Sequence, residues 1–449
     1  MNKLRYLLLV VALVLPLLLQ SPIAMAGHAS DLPIEPDGSD EYLVVFGNSG
    51  IPARAAVQVE AAGGQVIKEI PQIGVLVVRG DTDFAARAKG IRGVVEVGTN
   101  SIWHAQQSVT MQSLDVTTER VEDNDLYMDY QWDIKRAGGV PETWAIEKGA
   151  GTIVAILDSG VYWEHPDIAP NYLYGKSYVM EHIDPWGDPA PAEDANDYFG
   201  HGTAIAGTIA APITQGRIIG IAPEAGIANY KVLTTFGYGY FDWILQAIVD
   251  AADDGVQVIN MSFGYFVSMP DDGAATYVAF VRATSYARQK GVLLVAAAGN
   301  EATDLSKIRP IVRLPAGAPG VIAVSATTST DELAGFSNYG AGSFVSAPGG
   351  DDWDPYPFGN CLVAWSPITW IPFWAGQEYI FGSGTSLAAP KVAAAAALIY
   401  AQNPGIGPAQ VQARLIQTAE DIGEPGFDRE FGHGLVHAYR ALTGMKGQW

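Results

Sequence analysis

From about residue 126 onward the chain repeats one arrangement. A short run of continuous apolar, often β-branched residues is followed by a longer stretch with helical periodicity. "GTIVAILDSG", "GIANYKVL", "VQVINMSFG", "VLLVAAAGN" and "VIAVSATT" are of the first kind; "HGTAIAGTIAA", "FDWILQAIVDAADDG" and "YVAFVRATSYARQKG" are of the second. A strand solvated on one face alternates apolar with polar residues, whereas a strand that is apolar throughout must be covered on both faces. Such strands alternating with helices predict a mainly parallel sheet between two helical layers, an α/β/α architecture. The aromatic stretch 351–376 is too long for an ordinary connection and reads as an elaborated surface loop or hairpin packed beside the cleft. "PAQVQARLIQTAEDIG" reads as a closing amphipathic helix.

The preceding part divides differently. "MNKLRYLLLVVALVLPLLLQSPIAMAG" carries Lys3 and Arg5, an apolar run over 7–19 broken by Pro16, and Ala24-Met25-Ala26. That is the layout of a cleaved signal peptide over 1–26, too short and interrupted for a stable membrane anchor, and it predicts a secreted, extracellular protein. A polar, Pro-containing linker follows over 27–41. Residues 42–100 read as βαββαβ, the plan of a small ferredoxin-like α+β domain. Residues 101–125 are polar and without a period, and read as an exposed linker with the processing site. The large domain is then 126–449.

The net charge of −22 argues against nucleic acid and anionic membranes as partners. Cys361 is the only cysteine, so an exported chain must be held by packing or by metal rather than by an internal disulfide, and Cys361 itself reads as a buried structural thiol.

Four polar residues stand where chemistry would need them. Asp158 ends a predicted strand, at the sheet edge where ligands gather in parallel folds. His201 lies between two glycines ahead of a helix of small residues, the glycines allowing backbone close to the ring. Asn300 follows Gly299 at the end of another strand and could donate its amide to a developing oxyanion. Ser386, in "GSGTSLAAP", opens an alanine-rich helix whose free N–H groups favour an anion, with Pro390 in its opening turn, where a missing donor costs least. Taken singly, each has a plain structural reading as a cap, a turn former or a core histidine.

Together, in the order Asp, His, Asn, Ser, the segments "DSG", "HGTAIAGT", "AAAGN" and "GTSLAAPKVA" closely resemble the subtilisin-like serine proteases, the subtilases. The resemblance covers nearly everything from residue 126, and 42–100 is similar to the family's inhibitory propeptide. It implies a secreted serine endopeptidase made as a self-processed zymogen. Asp158, His201 and Ser386 would form the catalytic triad, with Asn300 in the oxyanion hole. Met261, Ser262, Phe263, Gly264 and Gly299, with a second edge over 235–240, would bind an extended protein or peptide substrate. The chain's own propeptide would be an intramolecular inhibitor. No cofactor is implied for the chemistry; a structural calcium ion is, near Asp167 and the loop 212–218, although Thr214 stands where an amide ligand belongs. Arg313 falls on the expected floor of the specificity pocket, near Glu301. If it points inward, large apolar residues before the scissile bond are disfavoured. Two positions depart from the family pattern: Ala204 and Lys391 each replace a usual histidine. The alternative is a catalytically silent subtilase-fold binding protein. A lipase or esterase, with a Gly-x-Ser-x-Gly elbow and the order Ser, Asp, His, does not match.

Overall fold

The computed structural model describes residues 40–47, 50–105, 111–113, 127–179, 193–213, 217–270, 273–340, 344–351 and 359–446. The predicted signal peptide, nearly all of the linker 27–41, most of 101–125, residues 214–216 of the calcium loop and 352–358 of the aromatic stretch lie outside these residues.

The first elements are β1 (Asp40–Phe46), α1 (Ala55–Ala61), β2 (Gln65–Ile70), β3 (Val75–Gly80), α2 (Phe84–Ala88) and β4 (Val94–Thr99). They form a four-stranded antiparallel sheet in the order β2-β3-β1-β4, the predicted ferredoxin-like plan. Alternation along its strands divides the sheet's burial. Tyr42, Val44 and Phe46 pack with Val59 and Phe84 of the sheet's own helices, whereas Leu43, Val45, Val75 and Val77 join a core shared with the large domain. So small a unit buries little by itself, and its second face is completed only by docking.

Two short strands follow, β5 (Ile102–Ala105) and β6 (Met111–Ser113). The large domain then runs α3 (Trp132–Gly138), α4 (Glu142–Ile146), β7 (Ile153–Asp158), β8 (Tyr172–Ser177), α5 (His201–Ala210), β9 (Gly226–Lys231), β10 (Tyr238–Tyr240), α6 (Phe241–Asp253), β11 (Val258–Met261), β12 (Phe263–Ser268), α7 (Gly273–Gln289), β13 (Leu293–Ala297), β14 (Ile311–Leu314), β15 (Val321–Thr327), β16 (Phe344–Pro348), β17 (Cys361–Ala364), β18 (Tyr379–Gly382), α8 (Thr385–Gln402), α9 (Pro408–Thr418) and α10 (Ala438–Thr443).

Seven strands form the central sheet, β16-β15-β13-β11-β7-β9-β8, and every pairing is parallel. Val154 and Ile156 of β7 pack with α5 and α8, while Ala155 and Leu157 pack with α6 and α7. The continuous apolar runs are thus explained: odd and even positions face different helical layers, and neither faces water. Helix α8 is buried from Thr385 to Tyr400. A helix surrounded on all sides needs small residues so that its neighbours can approach, which accounts for its alanines.

The stretch 351–376 follows the hairpin alternative in part: its strand at 361–364 pairs antiparallel with 379–382, and Trp370 and Phe373 between them are exposed. Its residues 361–364 are strand β17, buried throughout, in a three-stranded sheet β17-β18-β6. Cys361 is fully buried, as expected, and burial pushes its thiol well above the usual range. The helix at 408–418 is amphipathic as read, burying Val411 and Leu415.

Lys391, one of the two departures from the family pattern, lies in α8. It is fully buried, with Nζ 2.8 Å from Asp133 Oδ2 of α3, donating to Leu387 O at 2.8 Å and lying 3.7 Å from Cys361 Sγ. Burial pushes the ammonium down, but the adjacent Asp133 carboxylate prevails and holds the group above its ordinary value.

Candidate active site

Three neighbouring strands of the central sheet deliver three parts of one site. In the order β13-β11-β7, their C-terminal ends lead to Asn300, to Ser262 and into Asp158. Helices α5 and α8, both on one face of the sheet, begin with His201 and with Thr385-Ser386.

Asp158 is fully buried. Its Oδ1 accepts from His201 Nδ1 at 2.8 Å and from its neighbour Ser159 N at 2.7 Å. Asp158 Oδ2, His201 Nε2 and Ser386 Oγ are buried and make no hydrogen bond. For His201, burial works against the imidazolium, while Asp158 beside it works for it. The carboxylate prevails and the ring's pKa is raised.

Asp197 has no counterpart among the expected residues. Its buried carboxylate accepts from Ser159 Oγ (2.9 Å), Phe199 N (3.0 Å), Gly200 N (2.7 Å), Thr203 N (2.9 Å) and Thr203 Oγ1 (2.7 Å). It satisfies the first donors of α5 and ties them, through Ser159, to the end of β7. The sequence signal was an acidic residue shortly before a glycine-flanked histidine at a helix start, where free N–H groups need acceptors.

The glycines around His201 serve a purpose different from the expected approach of backbone to the ring. A Cβ at Gly202 would stand 1.9 Å from Gly160 O, and one at Gly200 would stand 2.3 Å from the Trp365 indole. They let α5 close onto β7 and onto the strand layer behind it.

Around Ser386 the backbone is equally constrained. Asn300 Oδ1 accepts from Thr385 N at 2.9 Å and from Thr385 Oγ1 at 2.8 Å, which fixes the amide with Nδ2 on the other side. Gly384 has φ +149°, and a Cβ built there would lie 3.1 Å from Ser386 Oγ, 3.2 Å from Asn300 Nδ2 and 3.7 Å from Ser386 N. Glycine keeps that point open. An oxygen placed near it is within reach of one amide donor and one helix N-terminal N–H, the arrangement that stabilises an oxyanion. Pro390 is the sixth residue of α8, not in its opening turn, so it removes the bond Ser386 O would otherwise receive. Ser262 Oγ supplies the replacement, donating to Ser386 O at 2.9 Å.

The expected substrate edges separate into two kinds. Phe263 and Gly264 are in β12, which with β10 flanks β5 in a sheet ordered β10-β5-β12-β14. The registers are Phe263↔Ala105 and Gly264↔His104 on one side, Tyr238↔His104 and Tyr240↔Ile102 on the other. The expectation of an exposed linker from residue 101 is therefore corrected at its start. Residues 102–105 are a paired strand, with Trp103 fully buried against Phe241, Phe263, Tyr265 and Phe280. Met261, by contrast, is the last residue of β11 and its side chain lies in the core beneath the cleft, so only its backbone is near the edge. Gly299 sits behind Asn300 and donates its N–H to Thr385 Oγ1 at 3.1 Å.

Arg313 does point inward. It is buried and pairs with Glu301, its Nη2 3.0 Å from Oε1. The proposed calcium ligand Asp167 fits a cation poorly. Its carboxylate is buried and accepts from Arg217 N, Ile218 N and Tyr379 Oη at 2.8–3.2 Å. Donors already fill the positions a hard cation would take. Among the described residues no cluster of His, Cys, Asp and Glu has metal-binding geometry.

Residues 149–434 match the subtilase family. The chain is 30% identical over 413 residues to fervidolysin of Fervidobacterium pennivorans, covering 86% of this chain and 56% of fervidolysin. It is 34% identical over 318 residues to a thermophilic serine proteinase of Bacillus sp. strain AK1, covering 71% and 65%. Thus the chain spans somewhat over half of these relatives' length. Among solved structures, the epidermin leader peptide processing serine protease of Staphylococcus aureus superposes with a TM-score of 0.75 at 25% identity, over 92% of this chain and 99% of that one.

Proposed function

This chain belongs to the subtilase family, and from that membership we propose that it is a secreted serine endopeptidase, made as a zymogen that processes itself. The reading rests above all on the 2.8 Å bond from His201 Nδ1 to buried Asp158, beside a serine and an amide that share the open point at Gly384. Ser386 Oγ attacks a peptide carbonyl. His201 Nε2 takes the hydroxyl proton and returns it to the leaving amine, while Asp158 holds the tautomer and stabilises the imidazolium. Asn300 Nδ2 and Ser386 N–H stabilise the oxyanion. Ser386 Oγ and His201 Nε2 make no hydrogen bond in this state; such contacts commonly tighten only with substrate in place. The substrates are proteins or peptides, bound as an extended strand whose main chain pairs with β10 and β12.

The raised pKa of His201 gives a sign to the pH response. Only the neutral ring accepts a proton, so kcat/KM is expected to fall as pH drops through a value above the ordinary 6.5. Stability runs the other way. A raised folded pKa contributes stability below 6.5, and that contribution is lost as pH rises through the folded value. A kcat/KM profile beside denaturant unfolding of the same protein checks both; an acid limb centred well below 6.5 contradicts the assignment.

Strand β5 supports the zymogen reading. It lies between the two edges proposed for substrate and joins through Asn100, which bonds Asp242, to the sheet of residues 40–99, itself held on α6 by the Lys68–Asp242 pair. A chain continued in β5's register has its next residue opposite Ser262, whose side chain touches Ser386 O. The expected cut is therefore between Gln106 and Gln107. Mass spectrometry of the mature N-terminus should read Gln107; an active form beginning before Ser101 would overturn the proposal. Export rests on the layout of residues 1–26. Among the described residues no helix is long and apolar enough to cross a membrane.

A further inference from the structure

Arg313 is a buried cation that the mechanism does not use. It lies on β14 opposite Phe266 of β12, with its guanidinium carbon 4.8 Å from the centre of the Phe266 ring. A Cβ at Gly264 would stand 2.4 Å from Nη1, and one at Gly299 would stand 2.7 Å from Nε. The side chain therefore reaches from the strand that pairs with substrate to the loop that presents Asn300.

Its hydrogen bonding is incomplete. Nη2 is held by an ion pair with Glu301 Oε1 at 3.0 Å, and Nε has no hydrogen-bond partner. The Arg313 side chain is 2% exposed, whereas that of Glu301 is 38% exposed. A guanidinium buried only for structure is normally satisfied by planar acceptors on its fork. Here a single, partly solvated carboxylate lies beside it, and the unmade bonds are a standing cost that an incoming acceptor can relieve.

The register says which substrate residue meets it. Side chains directly opposite in an antiparallel pair share a face of the sheet, and faces alternate. Trp103, Phe263 and Tyr265 pack together, while Gly264 and its partner His104 belong to the other face, where Arg313 lies against Gly264. The substrate residue opposite Ser262 has the parity of Gly264, and in the register proposed for the cut it precedes the scissile bond.

Resting on the peptidase reading, we propose that Arg313 determines specificity at the residue preceding the scissile bond. Its guanidinium floors that pocket and selects hydrogen-bond-accepting side chains, glutamate and glutamine, over lysine, arginine and large apolar residues. A glutamate gains charge-assisted bonds to the unmatched N–H groups. A glutamine offers its carbonyl to Arg313 and its amide to Glu301. Lysine and arginine meet a like charge. Leucine and phenylalanine would seal the guanidinium under an apolar cover, in space that it already occupies. The chain's own residue after Ala105 is Gln106, which meets the requirement.

The test uses the mature enzyme and quenched peptides Ile-Trp-His-Ala-X, extended past the cut, with X as Glu, Gln, Leu, Phe or Lys. The expected kcat/KM for Glu and Gln exceeds that for the other three by about tenfold or more, since a site built to pair polar groups rejects side chains that leave them unpaired. Arg313→Gly should empty the pocket and reverse the order in favour of Phe and Leu. Glu301→Gln should raise Glu relative to Gln by removing the competing carboxylate. A fluorophosphonate label on Ser386 counts active sites in each preparation. Wild-type preference for Leu, Phe or Lys, with normal labelling, overturns the role of Arg313 and leaves the peptidase reading intact. Wild-type enzyme that neither labels nor cuts any peptide overturns both. Should Arg313→Gly fail to fold, the wild-type panel and Glu301→Gln still decide the matter.

Discussion

Ser386→Ala is expected to abolish peptide-bond hydrolysis and self-cleavage together. The fall in kcat should be about 10⁶-fold, the size of loss that subtilisin itself shows when its nucleophile is removed. Stability should barely change. The hydroxyl makes no hydrogen bond in the folded chain, so its removal orphans no partner, and alanine suits the first turn of a helix at least as well. The readouts are three: hydrolysis of casein, the length of the purified chain, and attachment of a fluorophosphonate. The variant should accumulate as the uncut form with residues 40–105 still attached, should bind no label, and should unfold cooperatively in denaturant as a folded chain. Ordinary cleavage by this variant would remove Ser386 from the chemistry altogether.

Lys391→Met is expected to be among the most destabilising single changes in the large domain. It leaves Asp133 as an uncompensated buried carboxylate, which costs about 3–5 kcal/mol. Asp133 Oδ1 already lacks a hydrogen bond, so the remaining charge has little to fall back on. Replacing both partners with apolar residues, Asp133→Leu with Lys391→Met, should recover most of the loss, because desolvation of two ions offsets much of what their attraction supplies. Denaturant unfolding, with each change made in the Ser386→Ala chain to prevent self-digestion, measures the cycle. A single substitution as stable as its parent would mean that the pair is not buried in solution. The consequence for the site is mechanical. The pair ties α3, the first helix of the large domain, to the helix that carries the nucleophile.

The parallel sheet was legible because runs such as "TIVAILD" leave no polar face, and that pattern has few solutions. Asp158, His201, Asn300 and Ser386 were legible as a set for a related reason: each sits at the end of a strand or the start of a helix, and these boundaries carry local signals of glycine, cap and turn. The position of Met261 beside an edge does not say which way its side chain turns; the alternation of β11 sends it into the core. Asp167 looked like a metal ligand because a carboxylate accepts from N–H groups and from cations alike, and the sequence does not say which will arrive.

Strand β5 shows the limit most clearly. "SIWHA" has no period of its own to distinguish it from the polar residues around it. It is a strand because β10 and β12 offer unpaired edges on both sides and an aromatic pocket for Trp103. Arg313 likewise could be placed near the pocket from sequence, but its unmade hydrogen bonds follow from three segments, around 264, 299 and 313, meeting in space. What the amino-acid order decided was what local periodicity and chain chirality can encode: the layers, the sequence of elements and the residues at their ends. What the tertiary structure decided was which donors find which acceptors, because hydrogen-bond partners separated by a hundred residues or more are chosen by packing, and packing has no local signature.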